Sequence, residues 1–204
     1  MTRMMRHFLT ATAAAVFAGC GGSPTVNYYT LSTGGIDDVA PAPPSEKGYT
    51  IAVGPVVLPE VVDRPQLVVR VGANEVVLVE DHRWAESLTS AIPRLMAEHL
   101  TSLLQAQQVT AYPESAMGRA DYRVKVDIQR FESELRGAAT IDAIWTIHQA
   151  TSKAPVRTGH SLARESTGGD SYAALVAAHS RALLTVSRDI AAAIRSSAPS
   201  TPQR

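Results

Sequence analysis

The chain of 204 residues holds one cysteine, Cys20, so no internal disulfide can form. Aromatic residues make up only 5% of it, and neither charge sign is in excess, with 19 Lys+Arg against 19 Asp+Glu. A nucleic-acid-binding surface needs a basic excess on one face, and this balance gives it no support. Gly34-Gly35 and Gly168-Gly169 match neither the dinucleotide nor the P-loop pattern, so no phosphate-cradling loop is indicated. The histidines after the first twenty residues, His82, His99, His148, His160 and His179, never pair at ligand spacing. No metal site and no cofactor are expected. No apolar run approaches the roughly 20 residues that a membrane-crossing helix requires.

What is present begins with a leader. Arg3, Arg6 and His7 form a basic start, and Phe8 to Gly19 is a short stretch of apolar and small residues. That is the layout of a secretory signal peptide, here residues 1–19. Ala18-Gly19 directly before Cys20 resembles the bacterial lipobox, where small residues admit the peptidase and the thiol takes a diacylglycerol. Loss of the leader, with its two arginines and no acid, leaves 17 basic against 19 acidic residues, a net charge of −2. Residues 20–26 are then lipid anchor and tether, rich in glycine. Several acyl chains at about 0.8 kcal/mol per buried CH₂ hold a protein to a bilayer essentially permanently. Gly21 stands where an Asp would retain a proteobacterial lipoprotein in the inner membrane, which favours a periplasm-facing place on the outer membrane.

The hydropathy pattern after the anchor indicates one α+β domain, residues 27–196. Val26–Leu31 and Tyr49–Val57 have strand composition, with Pro55 marking an end or an edge. Gln66–Val71 and Glu75–Glu80 flank Gly72-Ala73-Asn74, a hairpin signal. From Glu86 to Gln107 the period becomes helical, with Pro93 either kinking the helix or marking its first turn, capped by Thr89 or Ser90. Three alternating runs around Tyr122–Ile128, Ala139–Ile147 and Val156–Leu162 predict an antiparallel meander, with a bulge near Gln129 or Arg130. Asp170 is the expected cap of a last helix whose apolar stripe runs from Tyr172 to Ile194. Residues 197–204 are a Ser/Pro/Thr-rich tail expected to be disordered. The economical arrangement is a mostly antiparallel sheet with both amphipathic helices on one face.

Chemistry is thin. Gly159-His160-Ser161-Leu162-Ala163 imitates a nucleophile elbow, but Ala163 replaces its second glycine and no helix start follows. Ser161 is therefore a strand residue first and an anchored esterase nucleophile a distant second. Glu132 and Glu134 are solvated strand-edge charges rather than a glycosidase pair. His99 and His179 lie on apolar helical stripes and are core or boundary histidines rather than ligands. No catalytic residue is assigned. Two features stand out: Asp81–Glu86, where Arg83 and Trp84 are either a packing joint or a partner-facing patch, and the turn Asp63-Arg64-Pro65-Gln66.

Several segments, in order, resemble the ABC-type transport auxiliary lipoproteins, the family of paraquat-inducible protein C. They are Tyr28-Tyr29-Thr30-Leu31, Val53-Gly54-Pro55-Val56, Asp63–Val68, His82–Leu88, Asp121–Val124 with Arg130-Phe131-Glu132, Ala143-Ile144-Trp145, and Tyr172–Val176 with Ser187–Ile190. The resemblance implies a non-enzymatic lipoprotein serving an ABC-type lipid transporter. Its implied partners are a permease or ATPase and a mammalian-cell-entry (MCE) domain protein whose conduit it docks at the outer membrane. Asp63, Arg64, Arg83 and Trp84 are the candidate docking residues. A homo-oligomer is compatible with a ring-shaped conduit. The runner-up is a lipoprotein binding a small ligand or cell-wall component.

The lipobox reading has a direct check. Mass spectrometry of the membrane-extracted protein is expected to show a mature amino terminus at an acylated Cys20, and Cys20→Ser is expected to leave unprocessed precursor. A mature terminus at another residue would refute it.

Overall fold

The computed structural model describes residues 25–36, 50–111, 120–150, 152 and 154–197. Cys20, the leader and residues 198–204 lie outside the described residues. Ten elements follow in order: β1 (Asn27–Tyr29), β2 (Thr50–Val57), β3 (Gln66–Gly72), β4 (Glu75–Trp84), α1 (Leu88–Leu104), β5 (Gln108–Ala111), β6 (Tyr122–Ser133), β7 (Ala138–Gln149), β8 (Pro155–Ser166) and α2 (Tyr172–Ser197). None of the described helices is long and apolar enough to cross a membrane.

The strands form two sheets, ordered β5-β2-β6-β7-β8 and β1-β4-β3. The expected meander is β6-β7-β8, antiparallel throughout, with a register shift between Ile128 and Arg130 that is the anticipated bulge. The large sheet is mixed, because β2 runs parallel to both β5 and β6. Parallel neighbours need a crossover, and α1 supplies one between β2 and β5. Pro55 sits inside β2 rather than at its end. It is tolerated there because the register with β6 slips between Val53 and Val56 and the pairing with β5 stops at Val53.

Both helices cover the same face of the large sheet, α1 over β2 and β5, α2 over β7 and β8, and they touch each other. Leu175, Val176, His179, Leu183, Val186, Ile190 and Ile194 of α2 are buried, as their spacing predicts. Two caps differ from expectation. Ser87 caps α1 six residues before Pro93, which falls inside the helix; neither Thr89 nor Ser90 is the cap. Ser171, not Asp170, caps α2: its hydroxyl accepts from the amide of Ala174 at 3.1 Å and its carbonyl from that of Leu175. Asp170 instead lies 3.8 Å from Arg136 on the surface. α2 also extends to Ser197, one residue into the predicted tail.

The Trp145 indole lies across Gly159, its partner on β8. A Cβ on Gly159 would stand 2.1 Å from Cζ2 of that ring. The glycine is therefore required by a close approach, not by a turn. Gly159→Ala is expected to cost roughly 1–3 kcal/mol by overpacking, read as a lower melting temperature. An unchanged melting temperature would show that the ring is free to move aside.

Candidate docking site

β4 ends at a joint where four elements meet. The amide of Trp84 donates to the carbonyl of Pro65 at 2.7 Å, and that of Ala85 to Tyr29 at 2.8 Å. Gln66 pairs with Arg83, yet Leu67 pairs with Val79, so the register slips by three residues on β4. The slip brings His82 against two tyrosines. The Tyr29 hydroxyl and His82 Nδ1 share a hydrogen bond of 2.6 Å, and the imidazole stacks on Tyr172 of α2 with centroids 3.9 Å apart. Burial first, then Tyr172 and Asp81, raises the Tyr29 pKa.

Trp84 is buried, its ring edge-on to Phe131 at 6.2 Å and to His179 at 6.3 Å. The packing reading of this residue is the one its surroundings support. Part of its surface still lines an open groove of about 340 Å³, shared with Asp63, Arg64, Pro65, Ala85, Glu86 and Ser87. Three of the four predicted docking residues, Asp63, Arg64 and Trp84, are thus brought together from segments about twenty residues apart. Arg83 is not part of this lining: its guanidinium turns back to Glu80, donating to the backbone carbonyl at 2.9 Å and facing the carboxylate at 3.4 Å.

The groove is rigid on both sides. On one, the amide of Val62 donates to Pro59 and that of Arg64 to Val62, leaving Asp63 exposed at the turn. Arg64 is half-buried, and its Nε is buried without a partner among the described residues. On the other, Glu86 is bound by Arg94 of α1, and this hydrogen bond, more than the Arg94 charge, holds its carboxyl below the usual range. The groove therefore offers one uncommitted carboxylate, one half-buried guanidinium and an aromatic surface. That set suits a protein partner better than a reaction.

The remaining candidates find structural employment. Ser161 is buried; its hydroxyl accepts from the Trp145 indole at 2.9 Å and donates to Asp189 at 2.6 Å. Its partners include no histidine, and the residue is only 2% exposed, whereas an elbow serine stands exposed above its sheet. Glu132 pairs with Arg70 at 2.8 Å and Glu134 with Arg164 at 3.0 Å. His99 and His179 are core histidines, bonded to Ser187 at 3.2 Å and to Ser133 at 2.8 Å. Tyr29, His82 and Tyr172 lie in three of the segments that carry the family resemblance, but nothing in the sequence shows that they stack on one another.

Each core histidine has its second ring nitrogen buried without a partner among the described residues. Burial pushes His179 down to about 3; burial, helped by Arg188, pushes His99 down to about 4. The unfolded chain binds these protons near 6.5, well before the folded one. The stability they confer is therefore whole above about pH 6.5 and falls as pH drops toward 4, by on the order of 3 kcal/mol for each histidine. Urea unfolding at pH 7 and pH 4.5 is expected to show that loss, and His179→Asn to flatten it. Equal stability at both pH values would contradict neutral burial.

The family of ABC-type transport auxiliary lipoprotein components matches this chain over residues 29–191. A crystallised protein of Xanthomonas campestris assigned to the DUF330 family shares 21% identity, with a TM-score of 0.64 over 85% of this chain and 93% of its own. A second solved structure, of an uncharacterised protein, shares 20% identity, with a TM-score of 0.64 over 83% of this chain and 99% of its own. At such identities these two establish the fold. No curated protein matches the chain significantly. With four-fifths of its length matched in order, from the tyrosine that anchors the joint to the last quarter of the last helix, the chain belongs to the ABC-type transport auxiliary lipoprotein family.

Proposed function

We propose that the chain is a non-enzymatic docking subunit, held by acyl chains on Cys20 at the periplasmic face of the outer membrane. There it receives the far end of a conduit built by an MCE-domain protein of an ABC-type lipid transporter. The observation that carries this reading is the groove between Asp63–Pro65 and Trp84–Ser87. It is a preformed concave surface whose walls are pinned by backbone hydrogen bonds and whose floor is a core tryptophan. A binding surface that does not reorganise loses little entropy on association. The membership in an auxiliary transport family supplies the context. The engagement of Ser161 with Trp145 and Asp189 supports a structural rather than a nucleophilic role for that residue.

A photo-crosslinking amino acid at Asp63, in membranes that express the transporter, is expected to capture the MCE-domain protein, whereas the same probe at Ser152 is not. Asp63→Arg is expected to weaken the association of purified partners at least tenfold, which corresponds to about 1.4 kcal/mol, without changing the melting temperature. Ser161→Ala is expected to leave association intact while costing roughly 1–3 kcal/mol of stability through its two lost hydrogen bonds. Failure of the purified partners to associate, together with no capture in membranes, would end this reading.

A further inference from the structure

The β3–β4 hairpin buries the first half of β3 but leaves an apolar surface at the end of β3 and along the first half of β4, together termed its tip. Leu67, Val68 and Val69 are 2%, 8% and 5% exposed, whereas Val71, Val76, Val77 and Leu78 are 56%, 40%, 44% and 37% exposed. Four of the nine large hydrophobic residues that stand exposed among the described ones lie in this single tip. They occupy both faces. Arg70 pairs with Val76 and Val68 with Leu78 on one face, while Val69 pairs with Val77 on the other. A strand pair whose one side faced water would alternate polar and apolar; this tip does not. Its turn, Gly72-Ala73-Asn74, carries no charge. The carbonyls of Gly72 and Ala73 accept from the guanidinium of Arg70 at 3.3 and 2.8 Å, so the turn leaves fewer backbone groups in need of water. Glu75 and Arg70, whose guanidinium reaches the turn and pairs with Glu132, are ionised groups at the end of the tip, and they restrict its depth to the headgroup region.

The direction of the chain says what covers the tip. β1 is parallel to β4, with Asn27 opposite His82. The polypeptide upstream of Asn27 therefore leaves on the side toward which the start of β4, and the tip, point. From His82 to Glu75 is seven residues of strand, about 23 Å at roughly 3.3 Å per residue. From Asn27 back to Cys20 is also seven residues, a covalent reach of at most about 25 Å. An acyl anchor at Cys20 keeps Asn27 within that distance of the bilayer, and the tip spans a like distance on the same side.

From these observations we propose that the β3–β4 tip is a second membrane contact, in which Val71, Val76, Val77 and Leu78 enter the headgroup layer of the leaflet that holds the Cys20 acyl chains. The contact rests on the anchor reading above. It turns a one-point tether into a two-point attachment and so sets the orientation of the domain. The groove at Asp63 and Trp84 lies at the opposite end of β4 and is presented away from the lipid.

Acylation consumes the only native thiol, so an introduced cysteine is the only one free for labelling. The test uses the full acylated chain bearing Val77→Cys or, as a control on the far edge of the large sheet, Thr158→Cys. Each is labelled with an environment-sensitive fluorophore and reconstituted in phosphatidylethanolamine/phosphatidylglycerol vesicles with or without nitroxide-bearing lipid. The label at position 77 is expected to shift to the blue on reconstitution and to lose most of its emission to the nitroxide; the label at 158 is expected to do neither. A double variant, Val71→Ser with Leu78→Ser, is expected to restore the emission at position 77 while the protein still floats with the vesicles. Flotation with an unquenched label at 77 overturns the hairpin contact and leaves the anchor standing. A blue shift in detergent that depends on protein concentration overturns it in favour of a second copy of this chain. Failure of the acylated protein to float overturns the anchor and the hairpin contact together.

Discussion

The bond from the Trp84 amide to the Pro65 carbonyl closes the joint on which the small sheet, the first helix and the groove all depend. It ties the last residue of β4 to the residue before β3, so the hairpin cannot splay at its base. Directly after it, the Ala85 amide bonds Tyr29 and draws β1 into the same knot. The Trp84 ring meanwhile packs beside Phe131 of β6 and His179 of α2, joining the small sheet to the large one through side chains alone. An amide withdrawn from water must find a partner, and here each finds it in a different element. The joint is consequently a meeting point of the fold as well as a wall of its groove.

Around that joint the core holds its histidines by hydrogen bonds to serine hydroxyls. Phe131 and His179 stack with planes 3° apart, and Ser133, two residues further along β6, bonds His179. The two helices repeat the device, with His99 of α1 against Ser187 of α2, whose hydroxyl also donates to Leu183. Neutral imidazoles bonded to hydroxyls fix the register of α2 against its neighbours more tightly than a slippery aliphatic contact can, because a shift by one residue would strand both polar partners. Arg195, donating to the Leu103 carbonyl at the end of α1, pins the far end of the helix pair in the same way.

These constraints give the domain a polarity suited to an auxiliary transport lipoprotein. The small sheet carries the proposed groove at one end and its apolar hairpin at the other, with the core knot in between. In the function proposed above, its contribution is a fixed distance and orientation between a bilayer and a partner. Both follow from how rigidly one end of β4 is held relative to the other.

Local pattern alone determined the hairpin, the meander with its bulge near Gln129, both amphipathic helices and the burial of His99 and His179, because periods of 2 and 3.6 are written one residue after another. The series of short motifs was enough to indicate the family, and the turn at Asp63 and the patch at Trp84 were legible as unusual chemistry. The short β5, the division into two sheets and the parallel pairings of β2 and β1 were not legible, since pairing between distant strands leaves no local signature. The caps at Ser87 and Ser171 turned on one residue's choice among neighbouring hydroxyls and acids, which the path of the preceding strand or loop decides. Likewise, Val76-Val77-Leu78-Val79 was visible as a continuous apolar run. Only the tertiary structure decided that its first three residues stay exposed, two of them opposite buried residues of β3, while Val79 packs against the core, because exposure depends on which stretch of a strand the rest of the chain covers, and no residue carries that information by itself.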